Sequence, residues 1–69
     1  MEKKKYEQSY SNFEKIIGEK NITSYRVAMD LGISPMTLSD WKRGLSKPRL
    51  DTMARVADYL GVSVMEFID

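Results

Sequence analysis

The sequence predicts an all-α domain of five short helices built around two central ones that are joined by a tight turn. Three observations carry this. Apolar residues recur at helical spacing in every segment, and no stretch alternates with the period of a strand. One device, an apolar residue followed by a hydroxyl residue, stands at three helix starts: Ile22-Thr23, Ile33-Ser34 and Val62-Ser63. Each pair has an apolar residue five positions on (Val27, Leu38, Phe67), the spacing of a hydrophobic staple over an N-cap.

In chain order, Met1 to Lys5 is a charged, frayed end, and residues 1–8 read as a frayed or helical extension of a domain over 9–69. Tyr6, Tyr10, Phe13 and Ile17, with Ile16 beside them, form one stripe of a first helix that runs to Lys20, and Asn21 is its left-handed stop. The second helix starts at Ser24, with Val27, Ala28 and Leu31 on one face and Ala28 small enough for a close helix crossing. Gly32 ends it, because a positive φ is cheap for glycine. Ser34 caps the third helix, and Pro35 takes the first helical position, where its missing N–H costs nothing. Leu38 and Trp41 face inward and Gly44 closes the helix. Pro48 keeps the loop Leu45 to Arg49 from being helical. A fourth helix follows with Leu50, Met53, Val56, Ala57 and Leu60 on its apolar face, Asp51 in its first turn and Gly61 as its stop. The fifth, Val64 to Ile68, opens on a capping box, Ser63 with Glu66. Such short helices are unstable alone and must pack on one another.

Composition excludes several functions. At 69 residues the chain is one small domain with a modest core. It has no cysteine and no histidine, which removes disulfides, thiolate chemistry, the commonest general base and the commonest metal ligand. No catalytic residues, metal ligands, cofactor or small-molecule site can be named, and an enzyme is not expected. No apolar run approaches the roughly 18 residues of a membrane span, and Lys3 to Lys5 is followed by polar sequence rather than a signal core, so a cytoplasmic protein is expected. The net charge of +1 hides an asymmetry: residues 1–20 carry +1, residues 21–49 carry +3 and residues 50–69 carry −3. The positive charge gathers at the end of the third helix and in the loop after it, as a polyanion-binding face requires.

The central stretch SYRVAMDLGISPMTLSDWKRG resembles the helix-turn-helix of the phage-repressor family (Cro and lambda-repressor-like, or xenobiotic-response-element type). With Ser24 as the first position, Ala28 is fifth and Gly32 ninth, with Val27, Leu31, Ile33, Leu38 and Trp41 at the apolar positions. The continuation LSDWKRGLSKPRLDTMARVADYLGVSVMEF is similar to the same family, and the likeness runs from Phe13 to Phe67. It implies a five-helix lambda-repressor-like domain and a sequence-specific, double-stranded-DNA-binding transcriptional regulator, of the phage or prophage repressor type.

The resemblance makes residues 35–43 the recognition helix, placed in the major groove. The helix phase turns Pro35, Met36, Ser39, Asp40 and Arg43 away from the core. Pro35 and Met36 can meet a thymine methyl, Asp40 can accept from cytosine N4, and Arg43 can bind guanine or a phosphate. Thr37 and Ser39 are short donors suited to phosphates. Ser24 and Tyr25 open the second helix as further phosphate contacts, at a place where the family often has glutamine. Lys42, Arg43, Lys47 and Arg49 form a cationic clamp, Lys42 standing where the family often has glutamate. A homodimer on a palindromic site is expected, joined through Val64 and Ile68. The other reading of the same fold is a protein-interaction module such as an antitoxin, using Tyr6, Tyr10, Val64, Met65, Phe67 and Ile68.

Overall fold

A computed structural model describes residues 5–68. It contains α1 (Glu7–Glu19), α2 (Ser24–Leu31), α3 (Pro35–Arg43), α4 (Leu50–Leu60) and a final 3₁₀ turn, Val64–Phe67, with no strand among the described residues. The lysines at 3 and 4 lie outside the described residues. The expected fifth α-helix is therefore not formed. Its amides bond three residues back, Glu66 N–H to the Ser63 carbonyl at 3.1 Å and Ile68 N–H to that of Met65 at 3.3 Å. So short a segment cannot build the longer-range ladder of an α-helix. The capping box does not close either. Ser63 Oγ accepts from the Met65 amide at 3.1 Å, because the Glu66 amide is already bonded to the Ser63 carbonyl.

The other two hydroxyl caps form as the sequence predicts. Thr23 Oγ1 accepts from the Arg26 amide at 3.0 Å, and Ser34 Oγ from that of Met36 at 3.3 Å. Between them Gly32 takes φ 67°, which lets the Ile33 amide reach back to the Ala28 carbonyl at 2.8 Å. Asn21 takes φ 57° after α1.

The core is an aromatic seam. Phe13 of α1, Trp41 of α3 and Phe67 of the 3₁₀ turn are all buried, with ring centroids 5.1 Å apart for Phe13–Trp41 and 5.9 Å for Trp41–Phe67. Tyr10 stands edge-on to Trp41 at 5.3 Å, a preferred aromatic geometry. Ile16, Ile17, Val27, Ala28, Leu38, Met53, Val56, Ala57 and Leu60 complete the core. Leu50, expected on the apolar face of α4, is exposed: it is the first residue of the helix, and Pro48 just before it is buried.

Ser9 is the one buried polar side chain among the described residues, at 0% exposure. Its Oγ accepts from Trp41 Nε1 at 3.0 Å and donates to the Tyr6 carbonyl at 3.1 Å. A buried indole N–H needs such a partner. Tyr6, at φ 62°, turns the chain into α1, and Asn12 Nδ2 donates to the Glu66 carbonyl at 2.8 Å, fastening α1 to the final turn.

A second brace joins α2 to α4. Asp30 accepts from Arg26 Nε at 3.0 Å and from the Tyr59 hydroxyl, and Arg55 donates to the Leu31 carbonyl. The Tyr59 hydrogen bond, and then Arg26, hold the Asp30 carboxyl below its ordinary range.

Candidate nucleic-acid interface

Successive residues of an α-helix turn by about 100°. With Leu38 and Trp41 fixed inward, Met36 and Arg43 fall on one line directly opposite. Ser39 and Asp40 flank that line on either side, and Pro35, Thr37 and Lys42 lie sideways. Exposure follows this phase: Met36 is 60% exposed, Pro35, Ser39, Lys42 and Arg43 are exposed, and Thr37 and Asp40 are half-buried.

The outer line is connected. Arg43 Nη2 donates to Asp40 Oδ1 at 2.8 Å and lies 4.0 Å from Met36 Sδ. Three of the four residues expected to contact bases thus form one cluster on the face of α3 that the core leaves open.

The fourth, Pro35, lines a cleft of about 290 Å³ between α1, α2 and α3. Ser24 and Tyr25 form one wall, Ser39 and Lys42 another, and Leu38 and Tyr10 also line it. Four of the residues expected to contact phosphate are brought together here, at the N-terminus of α2. Helix N-terminal amides and the helix dipole favour an anion there, and the hydroxyls and the Lys42 ammonium add donors. Burial raises the Tyr10 phenol above its ordinary pKa, with Glu14 adding to the effect, so Tyr10 stays a neutral hydroxyl at neutral pH.

The remaining phosphate candidates are placed elsewhere. Thr37 lies sideways on α3, Arg49 is exposed at the N-cap of α4, and Lys47 Nζ sits 5.8 Å from the centre of the Tyr6 ring, within cation–π range. The clamp read from the sequence is therefore divided: Lys42 lines the cleft, Arg43 lies on the outer line of α3, and Lys47 and Arg49 stand in the loop before α4.

Residues 12–69 match the family model of the Cro/C1-type HTH DNA-binding domain. The chain belongs to that family. It is also 36% identical over 58 residues to an uncharacterized HTH-type transcriptional regulator, y4dJ, of Sinorhizobium fredii (strain NBRC 101917 / NGR234), a match covering 84% of this chain and 75% of the relative. The Cro/C1-type domain is a binder of double-stranded DNA, and α2 and α3 are its helix-turn-helix. No helix among the described residues is long and apolar enough to cross a membrane.

Two residues of this Cro/C1-type domain matter to the site beyond those expected from sequence. Tyr10 reads as one member of an apolar stripe; its second role in the cleft depends on where α1 packs. Ser9 holds the inner edge of α3 through Trp41. The only sequence signal for it is general: a buried tryptophan requires an acceptor, which the sequence does not identify.

Proposed function

We propose that the protein is a sequence-specific transcriptional regulator, of the phage or prophage repressor type, acting on DNA in the cytoplasm. The outer face of α3 enters the major groove, with Met36 and Arg43 toward base edges, Asp40 paired to Arg43 beside them, and Pro35 at the rim of the cleft next to the bases. Ser24, Tyr25, Thr37, Ser39, Lys42, Lys47 and Arg49 meet the backbone. The observation that carries the reading is the adjacency of the cleft to the outer face of α3. A recognition helix needs a phosphate anchor beside it to set its depth and register. The name of the relative in Sinorhizobium supports the regulatory part.

The test is selection of bound duplexes from a random pool, followed by titration of the best site. A defined half-site and an affinity that falls steeply with salt are expected. Recovery of no preferred sequence would overturn the reading.

Two copies on a palindromic site are part of the proposal, with half-site centres about 34 Å apart, one turn of DNA. Val64 packs against the core, so the terminal turn offers Met65, 70% exposed, and Ile68 as its outward apolar pair. A stoichiometry of one protein per selected duplex at saturation would remove the dimer. The interaction-module alternative loses much of its surface, since Phe67 is buried and Tyr6, Tyr10 and Val64 pack against the core.

A further inference from the structure

Asp40 is an unexpected residue for its position. It lies toward the C-terminal end of α3, where the helix dipole favours cations. It also borders the face that, on the reading above, approaches a polyanion. A lone carboxylate there is disfavoured by both fields. This carboxylate is not alone: Oδ1 takes a hydrogen bond from Arg43 Nη2 at 2.8 Å. As an i,i+3 pair with 27% and 55% side-chain exposure, the two add little to stability. Stability is therefore a weak reason for the pair.

The pair does fix the direction of Arg43. The same Nη2 lies 4.0 Å from Met36 Sδ, so the long side chain is drawn back along α3 toward its N-terminal half. That half is the part of a recognition helix that meets base edges. Among the described residues Arg43 Nε and Nη1 make no hydrogen bond, which leaves donors for a base. An arginine fork can contact guanine O6 and N7 together. An unrestrained arginine gives up much rotamer freedom to do so, and one already held gives up less.

We propose that Asp40 is a positioning residue: it holds Arg43 for recognition of one guanine and does not itself read a base. The proposal rests on the reading of α3 as the recognition helix. It also accounts for a carboxylate on a DNA-facing surface, since Arg43 neutralises it there.

The experiment is a double-mutant cycle on the selected duplex. Wild type, Asp40→Asn, Arg43→Ala and the double variant are each titrated, at one salt concentration, with the selected duplex, its single-base variants and random duplex. Each preference is a ratio measured on one protein, so the folded fraction cancels. Arg43→Ala should abolish preference for guanine at one position. Asp40→Asn should weaken preference at that same position by roughly tenfold, within the range a bidentate base contact supplies. It should leave affinity for random duplex unchanged or raise it, because a negative charge has been removed. In the Arg43→Ala background Asp40→Asn should change no preference, and Asp40→Glu, which keeps the carboxylate, should retain part of the guanine preference.

Additive effects of the two substitutions, or a change of preference at a different base pair in Asp40→Asn, would overturn the proposal and make Asp40 a direct reader. Failure of the underlying reading looks different: wild type itself would then show no preference over random duplex, and the positioning role would go with it.

Discussion

On its inner face α3 presents Leu38 and Trp41, and Trp41 packs on Phe13, Phe67 and Tyr10 while donating to Ser9. On its outer face it presents Met36, Asp40 and Arg43, whose side chains, among the described residues, make hydrogen bonds only to one another. One helix of nine residues thus carries two unlike surfaces. The inner one is constrained by close packing, where removing atoms leaves a cavity. The outer one is constrained only by what binds it. Stability and sequence preference should therefore separate by face.

The largest expected effect is on the inner face. Trp41→Ala should cost about 3–5 kcal/mol, much of what a small domain has. Thermal unfolding followed by circular dichroism checks it, and an unchanged melting temperature would break the comparison at its root. Next is Ser9→Ala, which leaves the buried indole N–H without its acceptor and should cost about 1–3 kcal/mol. Trp41→Phe removes the donor as well, so the double variant should be more stable than the sum of the single losses predicts. Strict additivity would mean that the Ser9–Trp41 hydrogen bond contributes nothing.

Predictions on the outer side concern binding. Each cation that meets a phosphate should lower the log–log salt slope by about 0.9 when neutralised. Lys42→Ala tests the cleft, and Lys47→Ala with Arg49→Ala tests the loop before α4. A slope unchanged in the loop double variant would confine the backbone contacts to the cleft. Met36→Ala should change stability by no more than about 0.5 kcal/mol while changing which duplex variant is preferred. The same rank order of duplexes as wild type would show that the outer line reads nothing at Met36.

The smallest effect belongs to neither face of α3 and serves as a control. Asp30 is held below the ordinary carboxylate range by Tyr59 and Arg26. Its contribution is thus present above the unfolded value of about 3.9 and is lost as pH falls through the lower folded value. The difference in melting temperature between wild type and Asp30→Asn should be small at neutral pH and close below about pH 4. A difference that persists at lower pH would assign the effect of the substitution to something other than the ionised carboxylate.

Local sequence settles the capped starts of α2 and α3, the glycine stops and the inward positions of α3. A hydroxyl before a turn, a glycine after one and an apolar residue three or four places on act over less than two turns of chain, so neighbours settle them. It also made the exposed line of α3 legible, because helical phase follows once Leu38 and Trp41 are inward. The last element went wrong for a local reason: a good cap cannot turn a segment of four residues into an α-helix. Tertiary structure decided what lies between distant residues. Ser9 meets Trp41 across 32 positions and Tyr59 meets Asp30 across 29. Tyr10 joins Ser24 and Lys42 in one cleft, and Lys47 comes to rest over Tyr6. None of these follows from spacing, because each depends on how helices cross, and the crossing is set by the summed packing of the aromatic seam rather than by any one residue.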